Sequence, residues 1–194
     1  GAVNSDKASE RMTRMAIRLG CFTRPWNRYG FEQFLAGTAA AGYQVAGTMS
    51  LNRELIINAD MSADEVRRVR DQVEAAGLRP STVLGNFPLE GDYSQSVQRL
   101  EALIENVALF GARFLLHCGC QPGPAAERFY AVYAECCDYA EDLGVMLTLK
   151  PHGGITSSGA DLLYALEVID HDNFGIYYDP GNIIHYKGLD PVRE

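Results

Sequence analysis

The sequence predicts an α/β fold of repeated strand–helix units that form most of a (β/α)8 barrel. Gly42, Gly77, Gly111 and Gly144 each stand between a predicted helix and the next predicted strand, at intervals of 35, 34 and 33 residues. This interval is the length of one βα unit, and connections this short imply parallel strands with right-handed crossovers. No GxGxxG or Walker motif follows the first strand, which disfavours an open nucleotide-binding sheet.

The strands are predicted from short apolar runs that end in polar loop residues. The stretch VMLTLKPHGG, from Val145 to Gly154, is the best example. Its apolar part fits a strand buried on both faces, as in a parallel sheet covered by helices. The predicted strands cover residues 16–22, 43–49, 79–85, 112–116, 145–149 and 173–178.

The helices are predicted from apolar residues at helical spacing and from their start signals. Ser62 and Glu65 form a capping box, Pro124 stands in a first turn, and Ser158 caps a later helix. The predicted helices lie at about 31–41, 62–76, 93–110, 124–143 and 158–169, and GLDPVRE at 188–194 opens another. Residues 53–61 are ambiguous, and a short extra helix is one interpretation.

The length of the chain limits how much of a barrel it can form. At roughly 34 residues per unit, eight units need about 270 residues, near the usual size of a (β/α)8 barrel. The chain has 194 residues, so we expect about six units in a single incomplete barrel domain over residues 16–194. Residues 1–15 are polar and unpatterned, and we interpret them as a flexible N-terminal segment or tag remnant.

Composition and charge exclude several classes of protein. The net charge is −8, and binding to phosphate-rich surfaces needs clustered Lys and Arg, so we expect neither a nucleic-acid nor a membrane partner. The five cysteines, an odd number, do not suggest a disulfide framework. The compartment stays open: the cytoplasm is favoured, and an exported protein with its signal removed is the alternative.

Polar side chains collect where the predicted strands end, and all strands of a barrel end at one mouth. Three of the four histidines lie at such ends, while His171 falls in a turn at the opposite face. The residues at the predicted mouth are Arg24, Trp26, Ser50, Asn86, His117, Lys150, His152, Asp179, Asn182 and His185. Imidazoles beside a carboxylate suit a divalent metal, and they equally suit acid–base catalysis near pH 7 without one.

Several segments, taken in order, resemble the xylose isomerase-like superfamily of sugar-phosphate isomerases and epimerases. The segments are FEQFLAGTAAAGYQVAG, VEAAGLRPSTVLGN, LFGARFLLHCG, YAEDLGVMLTLKPHGG and NFGIYYDPGNIIHY. The resemblance covers nearly the whole chain after Met15. It implies a TIM barrel and divalent-metal chemistry, with Mn, Co, Zn or Mg, on a sugar, keto-polyol or related substrate.

The resemblance also implies a set of metal ligands, of which this chain matches one. Asp179 in YYDPGN matches the family's aspartate at the end of strand six, and Asn182 stands where a histidine often follows. Lys150 in LKPH stands where strand five of the family ends in glutamate. The family's ligands on strands seven and eight have no counterpart, because the sequence ends.

Lys150 leaves its own role open. A lysine does not bind a metal at neutral pH unless its pKa is strongly lowered. Lys150 can instead bind an anionic or carbonyl group of a substrate, or act as a base or imine-forming amine. A third interpretation is an ion pair with Asp179 in a site that has lost catalysis.

We expect an isomerase or epimerase that works by proton transfer next to a carbonyl of a sugar. Asp179 is the predicted metal ligand, and the predicted catalytic residues are Lys150, His152, His117 and His185. The predicted substrate-binding residues are Arg24, Trp26, Asn86 and Asn182. The alternatives are a keto-sugar or inosose dehydratase or lyase, and a non-catalytic carbohydrate-binding barrel. A homo-oligomer is possible, because a six-strand barrel leaves two sheet edges to cover.

Overall fold

The computed structural model describes residues 17–194, and its centre is a sheet of six parallel strands. Each of these six strands lies beside the next of the six along the chain. These strands are Gly20–Phe22 (β1), Val45–Thr48 (β2), Arg79–Leu84 (β5), Phe114–His117 (β6), Met146–Leu149 (β7) and Phe174–Ile176 (β8). All five pairings are parallel. The predicted succession of βα units is therefore confirmed.

The helices alternate with these strands and cover one face of the sheet. They are Phe31–Ala40 (α1), Ala63–Ala75 (α2), Tyr93–Phe110 (α3), Pro124–Asp142 (α4), Gly159–Ile169 (α5) and Pro180–Lys187 (α6), and a short 3-10 turn spans Arg24–Trp26. Their starts follow local chemistry. Ser62 caps α2 in a reciprocal capping box with Glu65, and Ser158 does the same for α5 with Asp161.

The main core lies between the helices and the outward face of the sheet. Alternate strand residues point to opposite faces, and Ala46, Val83, Leu115, Leu147 and Phe174 all belong to this core. Facing them are buried side chains of the helices, such as those along α3 and α4. The other strand residues point into the barrel interior, where the cavity described below lies.

The predicted extra helix over 53–61 is wrong. Ser50–Leu51 (β3) and Glu54–Leu55 (β4) form a small antiparallel hairpin instead. Its two turn residues, Asn52 and Arg53, both have positive φ, of 52° and 75°. Two positive φ values in a two-residue loop are the mark of a type I′ hairpin turn.

The last helix also begins earlier than predicted. Asp179 caps α6 by accepting a hydrogen bond from the backbone N–H of Asn182, and Pro180 occupies the first turn. The helix ends at Lys187 and is followed by Gly188 with φ of 64°. The predicted helix over 188–194 is therefore wrong, because these residues form a loop and turn.

The six strands curve into an arc that brings its two ends together on the inside. The rings of Phe22 on β1 and Tyr177, just after β8, meet edge to face with centroids 6.1 Å apart. The predicted segment 1–15 and the start of the first predicted strand at residue 16 lie outside the described residues. Within residues 17–194, no helix has the length and apolar character needed to cross a membrane.

Candidate active site

A cavity of about 340 Å³ opens at the carboxyl ends of the strands. Its walls come from the loops after β1, β2, β7 and β8 and from inward side chains of the strands. The lining residues are Phe22, Arg24, Pro25, Met49, Leu116, Lys150, Tyr177, Tyr178, Asp179 and Pro180. A cavity of this size is within the range that holds a small ligand. Aromatic and apolar walls with a few charged groups give it the composition of a small-molecule site.

Lys150 and Asp179 form the charged centre of this cavity. Lys150 follows β7 and Asp179 follows β8, so the pairing of these two strands brings them together. Lys150 Nζ lies 3.1 Å from Asp179 Oδ2, and the Lys150 side chain is only 10% exposed. A buried ammonium group needs such a partner, because an unpaired charge away from water is costly. The predicted proximity of these two residues at the mouth is therefore seen.

Asp179 uses both of its carboxylate oxygens. Oδ2 pairs with Lys150, while Oδ1 accepts the hydrogen bond from the Asn182 backbone that starts α6. The Asn182 side-chain amide in turn donates to the backbone oxygen of Pro151, at 2.7 Å. Asn182 therefore ties α6 to the loop that carries Lys150. This contact supports the charged pair from behind.

His152 is an exposed residue two positions beyond Lys150, and it is not among the residues that line the cavity. Its ring contacts Tyr186, whose hydroxyl lies 3.3 Å from Nε2. Partial loss of hydration, followed by the positive charges of Lys150 and Arg24, lowers the pKa of His152 below its ordinary value of 6.5. The imidazole is therefore neutral at pH 7, and it can accept a proton there. His185 is exposed on α6, and its ring also contacts Tyr186.

His117 does not face the cavity. Its side chain lies on the helix side of the sheet, in a cluster with Phe87, Phe129 and Tyr133, at centroid distances of 5.4, 4.9 and 6.1 Å. Burial lowers the pKa of His117 to about 4, and Nδ1 accepts a hydrogen bond from the Gly119 backbone. The expected catalytic position for His117 is therefore not found. The residue is a neutral part of the core.

The remaining predicted residues are divided between the cavity and its surroundings. Arg24 lines the cavity, but the Trp26 ring turns away to pack on α1, edge to face with Phe34. Asn86 is exposed after β5, and Ser50 lies in the β3–β4 hairpin. Neither of these two belongs to the cavity lining.

Sequence reasoning missed the apolar part of the lining. Phe22, Leu116 and Tyr177 point inward from three different strands or strand ends. The alternation of side chains along each strand could have identified such residues. Leu116 and Lys150 both lie on the face opposite the core residues Leu115 and Leu149.

The donor set around Asp179 does not fit a divalent metal. Hard cations need several oxygen or nitrogen ligands, whereas among residues 17–194 the lining of the cavity offers one carboxylate. Both oxygens of that carboxylate are already bound, and its nearest ionic partner is a lysine. Lys150 and Arg24 also bring two positive charges to the place where a cation would bind. The family's metal expectation is therefore not met by these residues.

A second group of possible ligands lies at the other end of the strands, where α4 ends and the turn before β8 begins. Asp138, Glu141 and His171 place one ligand atom each within 4.8 Å of one another. However, His171 Nδ1 accepts a hydrogen bond from the Asn173 backbone, so the neutral ring carries its proton on Nε2. That nitrogen lies 3.0 Å from Asp138 and donates to it. The ring nitrogen that faces the acids is therefore not free to bind a metal.

Comparison with protein families gives a clear result. A family model described as a xylose isomerase-like TIM barrel matches residues 35–194. The chain belongs to this family. Comparison with curated protein sequences gives no match.

Solved structures show the same fold as this xylose isomerase-like chain. A D-psicose 3-epimerase superposes with a TM-score of 0.71 at 15% identity, covering 91% of this chain and 69% of its own. A probable 3-DHS dehydratase from Bacillus anthracis superposes with a TM-score of 0.68 at 15% identity, and the match covers 91% of this chain and 68% of the dehydratase. A xylose isomerase domain protein from Planctomyces limnophilus gives 0.62 at 18% identity, covering 82% and 62%. The chain thus spans about two thirds of the length of these barrels, as about six βα units should.

Proposed function

We propose that the chain is a sugar isomerase or epimerase that transfers a proton next to a carbonyl group. The observation that carries this proposal is the ion pair between buried Lys150 and half-buried Asp179 at the carboxyl ends of the strands, inside a cavity of suitable size for a monosaccharide. Family barrels of this kind keep catalytic groups at that end. Epimerases are among the proteins with the same fold.

The proposed reaction uses the chain's own residues. A substrate carbonyl oxygen accepts a hydrogen bond from the Lys150 ammonium group, and Asp179 holds that group in place. His152, neutral at pH 7, takes the proton from the carbon next to the carbonyl. The C–H electron pair forms the enediol double bond, and the negative charge that develops on oxygen is stabilised by Lys150.

Return of the proton completes the reaction. An epimer forms when the other face of the same carbon takes a proton from water and His152 releases to water the proton that it took. An isomer forms when His152 returns its proton to the former carbonyl carbon, and the hydroxyl proton of the carbon that lost its hydrogen passes to the former carbonyl oxygen. No electrons enter or leave overall, so the reaction needs no redox partner. His152 is exposed, so the proton that it takes can exchange with water before it returns.

Loss of water is the second candidate reaction. The same enediolate can expel a hydroxyl group from the neighbouring carbon, and a probable dehydratase superposes about as well as the epimerases do. The third candidate is a barrel that binds sugars without reacting with them.

Hydrogen exchange in heavy water tests the proposal. We expect the full chain, incubated with a panel of keto- and aldo-sugars, to replace one C–H hydrogen of a substrate by deuterium, seen as loss of a proton NMR signal. Lys150→Met should lower the exchange rate by about 100-fold or more, since it removes the group that stabilises the oxyanion. Lys187→Met is the matched control, because Lys187 is an exposed lysine on α6.

The outcomes separate the three candidates. Dehydration would add ultraviolet absorbance from a conjugated product, and a binding barrel would bind a sugar without any exchange. Equal exchange rates in Lys150→Met and Lys187→Met would rule out the proposed role of Lys150.

A further inference from the structure

A second cavity, of about 370 Å³, lies at the same end of the strands as the candidate active site and shares no lining residue with it. It opens between the first turns of α4 and α5 and the loops that follow β6 and β7. The lining residues are Pro122, Gly123, Ala126, Glu127, Tyr130, Gly154, Ile155, Asp161 and Tyr164. The two loops are joined where the Ile155 N–H donates to the Cys120 carbonyl oxygen, at 3.0 Å. Hydrogen-bonded backbone therefore bounds the cavity on one side, and two helices bound it on the other.

Tyr130 gives this second cavity an unused hydrogen-bonding group. The residue is only 8% exposed, and among residues 17–194 its hydroxyl has no hydrogen-bond partner. Burial raises the pKa of Tyr130 to about 12, so the hydroxyl keeps its proton at pH 7 and can both donate and accept. Buried tyrosine hydroxyls usually have a partner. Because Tyr130 lines the cavity, a polar ligand bound there can supply the partner.

The charged groups of the second cavity are both negative. They are Glu127 and Asp161, and the described lining contains no Lys, Arg or His. Each carboxylate lies in the first turn of its helix, α4 or α5. The partial positive charge of a helix N-terminus, about half an elementary charge, offsets only part of each. Within residues 17–194 Glu127 has no ion pair, and the Asp161 carboxylate binds only Ser158. The cavity therefore keeps a net negative charge, which favours a cationic ligand.

Two aromatic rings share the cavity with these carboxylates. The rings of Tyr130 and Tyr164 have centroids 5.8 Å apart, and their planes meet at 77°. Rings at nearly a right angle supply two adjacent walls of an aromatic cage, and the faces of such rings attract organic cations. A bare metal ion is less suited to these walls, because it needs several oxygen ligands in direct contact.

We infer that the second cavity binds a small organic ammonium ion. The positive group contacts the rings of Tyr130 and Tyr164 and is attracted by Glu127 and Asp161. A hydroxyl or an N–H of the same ligand can bond to the free Tyr130 hydroxyl, while its carbon atoms contact apolar lining such as Ile155. This inference does not rest on the proposed function, because the second cavity contains none of the residues used in that reaction.

Charged and neutral ligands of the same shape test this inference. Isothermal titration calorimetry of the full chain would compare choline with 3,3-dimethylbutan-1-ol, in which carbon replaces the quaternary nitrogen. A second pair compares ethanolamine with 1-propanol. We expect at least one cation to bind about tenfold or more tightly than its neutral partner, and its affinity should fall as salt concentration rises. The two pairs distinguish a quaternary from a primary ammonium ligand.

Variants of exposed lining residues assign the binding to this cavity. Tyr164→Leu removes one ring and Glu127→Gln removes one charge, and both side chains are exposed, so the fold should be kept. We expect each variant to weaken binding of the cation by about two- to tenfold. Glu127→Gln should leave the affinity for the neutral partner unchanged. Glu141→Gln makes the same change at the other end of α4, and as the control it should keep the full affinity.

Three results would overturn the inference. They are equal affinity for each cation and its neutral partner, no measurable binding of either cation, and a cation affinity that neither Glu127→Gln nor Tyr164→Leu lowers. Hydrogen exchange with sugars is a separate measurement on the other cavity. Failure of the proposed function would therefore leave this inference standing, and failure of this inference would leave the proposed function standing.

Discussion

Lys150 carries the positive charge at the centre of the candidate site. It lies where the family resemblance places a glutamate, and Asp179 is bound to it through Oδ2. A single side chain thus changes the site from two acidic groups to an ion pair. Two carboxylates attract a cation, whereas an ion pair is already neutral.

Lys150→Glu should create a metal site. The substitution puts a second carboxylate beside Asp179, and their repulsion is relieved when a divalent cation binds between them. We expect equilibrium dialysis with Mn²⁺ or Co²⁺ to show tighter binding to Lys150→Glu than to the unaltered chain. The unaltered chain should not bind the metal ion at this site. The same holds for Lys187→Glu, which makes the same change at an exposed position. Stoichiometric metal binding to the unaltered chain would contradict the conclusion that the groups around Asp179 do not fit a divalent metal.

From the sequence, each site residue was placed at the mouth because it stands at the end of a predicted strand. This prediction was correct where the side chain points into the barrel interior. Lys150 and Asp179 were predicted to meet, and they do. His117 was predicted at the same mouth, but it pairs in register with Leu149, which faces the core. A side chain one position further or nearer points to the other face. The sequence shows that the side chains alternate between the two faces, but it does not show which face points inward. The face on which His117 lies could therefore not be predicted.

The loop after β1 and helix α1 form one packed element. Gly37 in α1 lies against the indole ring of Trp26, and a Cβ at this position would come within 2.9 Å of Trp26 Cζ3 and closer still to Cη2. The ring is further held by edge-to-face contacts with Tyr29 and Phe34. Glycine at position 37 is therefore required by this close approach, despite its low helix propensity.

Gly37→Ala should destabilise the chain although alanine favours helices. We expect urea unfolding to show a loss of about 1–3 kcal/mol, since the overlap with the ring outweighs a gain of about 1 kcal/mol in helix propensity. Emission from Trp26, the one tryptophan of the sequence, should change as the ring moves. Adding Trp26→Phe to Gly37→Ala should restore part of the loss, because the smaller ring leaves room. A Gly37→Ala variant more stable than the parent would refute this packing argument.

At the scale of elements, the predictions succeeded where capping and periodicity agreed. Helix α3 over Tyr93–Phe110 and the capping box of α2 lie as predicted. The β3–β4 hairpin was missed because its turn is Asn52-Arg53, without the glycine that usually marks a type I′ turn. The start of α6 was missed because Asp179 was interpreted only as a ligand, whereas an aspartate before a proline is also a helix cap.

Stability of the whole molecule should depend on pH through a buried histidine. His117 is neutral in the folded chain because burial lowers its pKa from 6.5 to about 4. Between these values the unfolded chain binds a proton that the folded chain does not. The free energy of unfolding therefore falls as pH decreases through this window, by on the order of 3 kcal/mol at pH 4.

Comparison of His117→Asn with the parent chain isolates this contribution. Asparagine keeps an acceptor for the Gly119 N–H but does not titrate. Urea unfolding at pH 7 and at pH 4.5 should therefore show a smaller acid loss in His117→Asn. His185→Asn, at an exposed position, should behave like the parent. An equal acid loss in His117→Asn and the parent would contradict the assignment.

The architecture of the whole molecule was the most predictable property. The regular glycine intervals set the length of each unit, and local start and stop signals then fixed the order of strands and helices. The approach of the first strand to the last was not predictable. It is seen in the contact between Phe22 and Tyr177, which lie far apart in the sequence. Such long-range contacts depend on the curvature of the sheet. Whether copies of the chain associate through the sheet edges remains a prediction.

The ion pair at the centre of the cavity has a consequence for the conditions under which such a protein can work. A metal ion can be removed by a chelator, replaced by a competing ion or scarce in the surroundings. The ammonium group of Lys150 is covalently part of the chain and is present as soon as the chain folds. The proton transfer proposed for these residues should therefore proceed at the same rate with and without a chelator.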